Sequence, residues 1–85
     1  MTTMHNSNDW RIKVRGMEPH TTPHVHVEFN DGYRCSVRIS DGLLLSGGVS
    51  PKKRIKPALE WIASNRVKLI DEYERLNRNE KTATN

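Results

Sequence analysis

Three of the chain's four histidines lie close together, and their spacing suits metal binding. His20, His24 and His26 fall within seven residues, and Glu28 follows His26 by two positions. On a β-strand, His24 and His26 would point to the same side with Cα atoms about 6.6 Å apart, because each residue rises about 3.3 Å. Two imidazoles so placed can share a zinc ion, with His20 or Glu28 as a third ligand. They could equally be polar residues of a solvated sheet face, and the sequence leaves both interpretations open.

The same segment contains the residue types of general acid–base cleavage of RNA. In that reaction one group accepts the 2′-hydroxyl proton and another protonates the leaving oxygen. His24, His26 and Glu28 could share these roles, while neighbouring arginines hold the phosphate. The simpler alternative is that Glu28 forms an ordinary cross-strand ion pair with Arg34, worth a few tenths of a kcal/mol.

Basic residues form a second group of candidates. Five alternate along two predicted strands and four follow a glycine pair: Arg11, Lys13, Arg15, Arg34 and Arg38, then Lys52, Lys53, Arg54 and Lys56. A basic sheet face suits a phosphate backbone, although it lacks the aromatic platforms that stack bases. The later cluster, next to Gly47 and Gly48, is predicted to bind a phosphate or an acidic partner at a helix start. If the helix begins later, the cluster is a solvated turn.

Two single residues complete the candidates. Trp61 lies about 100° from the centre of the apolar stripe of its predicted helix, so it either covers a sheet edge or anchors an interface. Cys35 is the only cysteine, and its alternation with apolar neighbours predicts a core thiol rather than a nucleophile.

Four predicted strands must carry most of these residues. Apolar and polar residues alternate over 10–15, 24–29 and 33–40, and the leucines at 43–45 form a short fourth strand. Three-residue hairpin loops at 30–32 and 40–42 place every apolar residue on one face. They pair Val27 with Cys35 in the first hairpin and Val37 with Leu45 in the second.

Helix follows the strands. Its apolar residues recur at steps of three and four: Ile55, Leu59, Ile62, Leu69, Tyr73 and Leu76. The helix begins either at Pro51, with a kink at Pro57, or at Pro57 after a loose turn. A break at Ser64-Asn65 would start a second helix that runs from about Arg66 to Asn77.

These elements predict an α+β domain in two layers. An antiparallel four-stranded β-meander is packed on one face by the C-terminal helix, either kinked or as two consecutive helices. The 85 residues hold one domain, predicted over 9–78, with disordered tails at 1–8 and 79–85. A core this small leaves little room for a deep cavity.

Composition narrows the function classes further. No run reaches the roughly 20 apolar residues of a membrane span, and the first residues lack a secretion signal. A single cysteine forms no disulfide framework, so the expected location is cytoplasmic. The net charge of +4 permits nucleic-acid or acidic protein partners. No cofactor is predicted, and the oligomeric state stays open.

The histidine segment also resembles a known family. The run from His20 to Val27, HTTPHVHV, is similar to the H-x-x-P-H-x-H-V motif of a small bacterial family, domain of unknown function 4160. The similarity spans about residues 10–77, with Thr22 where a second proline is common and Tyr73 where tryptophan is common. It implies a cytoplasmic bacterial domain that accompanies another small domain in an operon, with a toxin–antitoxin role suggested.

The expected function follows from these features together. We expect a non-enzymatic binding module that contacts a partner protein from the same operon, or nucleic acid, through a basic surface. The alternative is a small ribonuclease or metal-binding domain that uses His24, His26 and Glu28.

Overall fold

The computed structural model describes residues 2–15 and 22–83. Its strands are β1 (Thr2–Asn6), β2 (Trp10–Val14), β3 (His24–Phe29), β4 (Arg34–Arg38) and β5 (Leu44–Gly47). A 3-10 turn (Lys52–Ile55) leads into α1 (Lys56–Ser64) and α2 (Arg66–Ala83). The strands form one sheet in the order β1-β2-β3-β4-β5, antiparallel at every step. The predicted α+β class and antiparallel meander are therefore confirmed.

The number of strands was predicted wrongly, because β1 lies in the segment expected to be a disordered tail. Thr3 pairs with Lys13 and Asn6 with Arg11 across β1 and β2. Apart from Met4, which packs against the core, the side chains of this segment are polar and give no strand-like alternation. Its backbone nevertheless completes hydrogen bonds with the open edge of β2, which needs no apolar side chain. The sheet thus has five strands instead of four.

The β3–β4 hairpin has the predicted register. Val27 pairs with Cys35 and Glu28 with Arg34. The Phe29 amide donates to the Tyr33 carbonyl at 2.8 Å, which closes a three-residue loop. Gly32 takes a φ of 101°, a conformation in which glycine pays no side-chain penalty.

The β4–β5 hairpin departs from its predicted register by one residue. Val37 pairs with Leu44 rather than Leu45, and Ser36 pairs with Ser46. Leu45 is therefore an extra residue that β4 does not match, which makes a β-bulge. The leucines at 43–45 end up about half exposed, outside the core that their hydrophobicity predicts.

The helical region resolves the alternatives at Pro51 and Pro57. A 3-10 turn follows Pro51, and α1 begins at Lys56 with Pro57 in its first turn, where a missing amide proton is tolerated. Asn65 ends α1 with φ −128° and ψ 25°, so the two-helix alternative is correct. Helix α2 continues to Ala83, through most of the predicted C-terminal tail, because its last turns are rich in helix-forming residues.

The core lies between one sheet face and the two helices. Both helices contact β2, and Ile62 and Leu69 are completely buried beneath them. The predicted covering residues Ile55 and Leu59 lie at its margin. Within the described residues, no helix is long and apolar enough to cross a membrane.

Candidate functional site

The polar residues of the sheet form two rows across the face opposite the helices. In one row Lys13, His26, Ser36 and Ser46 lie side by side on four successive strands. In the other, Arg11 lies beside Glu28, which lies beside Arg34. Period-2 alternation brings these side chains together, because each strand turns its apolar residues to the helices. The rows place most of the predicted sheet-face cations on one surface.

The two rows enclose a shallow concavity at the centre of this face. Its volume is about 170 Å³ and it is lined by Arg15, His26, Glu28, Arg34, Cys35, Ser36 and Ser46. Two guanidinium groups, an imidazole and two hydroxyls therefore surround one carboxylate. We call this region the polar concavity.

Among the described residues, Glu28 is the only carboxylate that lines the polar concavity, and two cations contact it. Lys13 Nζ lies 3.2 Å from Glu28 Oε1, and the Arg15 guanidinium lies 3.7 Å from Oε2. Burial alone would raise the pKa of Glu28, but the Lys13 hydrogen bond and the charges of Lys13, Arg11 and Arg15 lower it overall. Glu28 is therefore ionised at neutral pH and is a weak proton acceptor. Arg34 lies opposite it in register, yet these ion pairs go to Lys13 and Arg15.

The two described histidines of the motif have different surroundings. His26 Nδ1 lies 3.5 Å from the Ser36 hydroxyl, at the polar concavity. His24 is buried, with Nδ1 2.8 Å from the Thr22 carbonyl and its ring 6.0 Å from that of Tyr73. The two imidazole rings are 5.1 Å apart, but only His26 lines the polar concavity.

The predicted metal site is only partly within the described residues. His20 lies outside them, so its position next to His24 and His26 is not described. Among residues 2–15 and 22–83, no cluster of three or more histidine, cysteine, aspartate or glutamate side chains could hold a metal ion.

Arg38, a predicted surface-binding residue, is held within its own hairpin. Its guanidinium donates two hydrogen bonds to Asp41 in the β4–β5 turn, one of them from Nε at 2.9 Å. The Arg38 hydrogen bonds lower the pKa of Asp41 to about 2, and the Leu43 amide adds a further hydrogen bond at 3.0 Å. Arg38 therefore contributes little uncompensated charge to the polar face.

Arg54 is a structural clamp. Its guanidinium contacts Asp9 at 2.7 Å and Asp31 at 2.8 Å, donates to the Ser50 carbonyl at 3.0 Å and lies 5.2 Å from the Phe29 ring centroid. The Arg54 hydrogen bonds lower the pKa of Asp31. Sequence reasoning missed this role because the two carboxylates lie 45 and 23 residues away along the chain.

The rest of the predicted cation cluster lies on a turn. Lys52 and Lys53 belong to the 3-10 turn, and Lys56 is the first residue of α1; all three are exposed. The binding site predicted for this cluster at a helix start required a helix that begins at Pro51. Since α1 begins at Lys56, Lys52 and Lys53 lie before the helix, on a turn.

Trp61 covers the β1 edge of the sheet. Its ring stacks on His5 at a centroid distance of 4.8 Å and an angle of 24°, and His5 lies 5.3 Å from Trp10. His5 was missed because it lies in the segment expected to be a tail. Cys35 is buried, and its burial raises the pKa of the thiol to about 11, which agrees with a core role.

Comparison with known families agrees with the motif. The family model for a domain of unknown function (DUF4160) matches residues 10–74, a range that contains β2–β5, α1 and the first half of α2. Comparison with curated proteins and with solved structures returns no match. Because the matched range covers most of the chain, the protein belongs to the DUF4160 family.

Proposed function

We propose that this protein is a binding module that contacts the phosphate backbone of a nucleic acid through the polar face of its sheet. One observation carries the proposal. Arg15, His26 and Arg34 line a single open concavity on the face that the helices leave uncovered. Two guanidinium groups and an imidazole that converge in this way suit phosphate oxygens.

The charges around the polar concavity leave a positive surplus. Lys13 and Arg15 share the single carboxylate of Glu28, so two positive charges meet one negative charge. Arg34 is exposed and forms no ion pair with any described residue. A phosphate placed between Arg15 and Arg34 would balance this surplus, and it would release counterions from the face.

The shape of the site favours a polymer over a small molecule. Small-molecule sites are usually enclosed clefts of about 300 Å³ or more, whereas the polar concavity holds about 170 Å³ and is open. The aromatic residues Phe29 and Tyr33 alternate with the polar face and do not line the concavity. We therefore expect backbone contact with little sequence preference, because stacking platforms are missing from it.

The experiment is a binding titration with matched charge variants. Fluorescence anisotropy with labelled single-stranded and duplex RNA and DNA is measured between 50 and 200 mM salt. We expect affinity to fall steeply with salt and to drop about tenfold or more in an Arg15→Gln/Arg34→Gln double variant. Arg66→Gln/Lys68→Gln, which removes two exposed charges on α2, is the control and should bind more tightly than Arg15→Gln/Arg34→Gln. The proposal fails if the parent binds no nucleic acid at 50 mM salt, or if the α2 double variant loses as much affinity as Arg15→Gln/Arg34→Gln does.

A ribonuclease is the second candidate, because His26 and Glu28 line the same concavity as the two arginines. The lowered pKa of Glu28 makes it a poor base, so His26 would have to carry most of the proton transfer. RNA is incubated with the parent, His26→Ala and His5→Ala in the presence of chelator. Cleavage that disappears only in His26→Ala would support the enzyme, and intact RNA in every sample would favour binding alone.

A further inference from the structure

Strand β5, at one edge of the sheet, is exposed and carries no charged side chain of its own. All four β5 residues are exposed, and the leucines at 43, 44 and 45 are 50%, 45% and 42% exposed. An edge strand presents backbone N–H and C=O groups that can pair with another chain, and soluble proteins usually protect such an edge with charges or proline. Strand β5 has the sequence Leu-Leu-Ser-Gly and carries neither.

The apolar residues at this edge continue the core face beyond the helices. Leu44 lies opposite Val37, a completely buried core residue, yet remains exposed because α1 and α2 pack over β2. Tyr33, opposite Phe29 in the β3–β4 loop, is 43% exposed in the same way. Backbone groups and apolar side chains are therefore available together along one edge.

Cations lie beside one end of this edge. The Gly48 amide donates to the Arg34 carbonyl at 3.1 Å, which places Arg34 next to the end of β5. Lys52 and Lys53 follow within a few residues, and all three cations are exposed. At the opposite end, Arg38 is already paired with Asp41. The edge is thus apolar at the leucines and has cations near the Gly47 end.

We propose that β5 binds an extended segment of a partner protein as a sixth strand, with apolar residues along the leucines and acidic residues at the Gly47 end. Backbone hydrogen bonds supply affinity in this mode, and alternate side chains supply specificity. The acidic residues complement Arg34, which lies next to the end of β5, and Lys52 and Lys53, which follow β5 in the chain. This surface adjoins the polar concavity at Arg34 and Ser46, whereas the leucines at 43–45 do not line the concavity.

A second copy of the chain suits the edge less well. Each partner in a stable dimer buries about 800 Å², and a four-residue strand with three half-exposed leucines is a small part of that. A second copy also brings another net charge of +4. It offers no unpaired acid from its own β5 turn, since Asp41 is held by Arg38. An acidic segment of a different protein fits both the small contact area and the positive charge of this edge.

The test selects ligands without assuming their sequence. A display library of random twelve-residue peptides is selected on the full chain, and the enriched peptides are synthesised and titrated against the parent, Leu45→Lys and Val67→Lys. Val67 is 76% exposed on α2, so Val67→Lys adds the same charge far from β5. We expect peptides with an apolar run and acidic residues at one end, which bind Leu45→Lys at least tenfold more weakly than Val67→Lys. Circular dichroism checks that both variants remain folded.

Amide chemical shifts then locate the bound peptide. Shifts concentrated at residues 43–48 would support the proposal. Three results would overturn it: no enriched peptide, enriched peptides that bind Leu45→Lys and Val67→Lys equally, or a concentration-dependent dimer whose β5 amides are protected. Nucleic-acid binding, measured separately, should be retained in Leu45→Lys, which keeps this test independent of the polar concavity.

Discussion

The two edges of the sheet are treated in opposite ways. Strand β1 is polar apart from Met4, yet the Thr2 hydroxyl donates to Glu72 of α2 at 2.6 Å, and His5 lies between Trp10 and Trp61. Strand β5 begins with two leucines and is exposed at every residue. Coverage of an edge therefore depends on where the helices pack, which is over β2, rather than on the hydrophobicity of the edge strand itself.

This difference predicts that the β1 edge contributes to the stability of the fold and the β5 edge to partner binding. The β1 edge is joined to both helices, so substitutions there should act on the whole fold. The β5 edge touches only β4 among the strands, and its side chains have little packing to lose. Substitutions at β5 should therefore change partner binding more than they change the free energy of unfolding.

The largest expected effect compares a buried aromatic residue on β2, the strand next to β1, with an exposed one just before β4, the strand next to β5. Trp10 is 7% exposed and Tyr33 is 43% exposed. Trp10→Ala should lower the free energy of unfolding by about 3–5 kcal/mol, because it removes a buried ring and leaves a cavity. Tyr33→Ala should lower it by about 1 kcal/mol or less. Urea unfolding followed by circular dichroism measures both, and equal losses would show that the two edges are packed alike.

The next effect concerns the two glycines that follow the exposed leucines. A Cβ on Gly47 would lie 2.1 Å from the Arg34 carbonyl oxygen, and φ there is +75°; a Cβ on Gly48 would meet nothing within 4 Å. Gly47→Ala should cost about 1–3 kcal/mol, limited by the free energy of detaching β5, whereas Gly48→Ala should cost clearly less.

Hydrogen exchange distinguishes local from global loss in these glycine variants. Faster exchange confined to residues 43–48 in Gly47→Ala would show that β5 detaches alone. Uniformly faster exchange over β1–β4 would contradict the separation between the two edges.

Local chemistry made part of this fold predictable from sequence. The β3–β4 register follows from the loop at Asn30-Asp31-Gly32, because only a three-residue loop keeps Val27 and Cys35 on one face. The polar rows follow from the same alternation. These features depend on residues that are near one another along the chain.

The features that were missed depend on distant partners. Strand β1 forms because the edge of β2 is open, and no pattern within Thr2–Asn6 signals it. The bulge at Leu45 depends on how β4 and β5 pair. A prediction from hydrophobicity alone therefore placed the leucines wrongly in the core. Arg54 could not be separated from its neighbouring lysines, because Asp9 and Asp31 meet it only in the folded chain.

A smaller effect tests the Arg54 clamp, which joins the turn before β2 to the turn after β3. Arg54→Lys keeps the positive charge but loses the planar fork that contacts Asp9 and Asp31 together. We expect a lower melting temperature than the parent, with a smaller change than in Trp10→Ala. Lys53→Ala removes an exposed neighbour and should leave the melting temperature nearly unchanged. Equal behaviour of the two variants would contradict the clamp.

The smallest expected effect is the loss of stability at acidic pH. It compares two carboxylates, Asp41 near the β5 edge and Glu72 near the β1 edge. Arg38 lowers the pKa of Asp41 from 3.8 to about 2, and hydrogen bonds from Arg75, then Thr2, lower the pKa of Glu72. A carboxylate whose pKa is lower in the folded state adds stability above its unfolded pKa. That stability is lost as the pH falls through the folded pKa.

Both pairs should therefore weaken as the pH falls, over about pH 4 to 2 for Asp41. Asp41 is half exposed and Glu72 is largely covered, so solvent screens the β5 pair more strongly. Arg75→Gln should thus reduce the change of melting temperature with pH more than Arg38→Gln does. Carboxyl NMR titration should show the Asp41 pKa rising toward its ordinary value in Arg38→Gln and staying near 2 in Arg75→Gln. If Arg38→Gln changes acid stability more than Arg75→Gln does, the β5 turn contributes to the global fold and the two edges are not divided as the packing indicates.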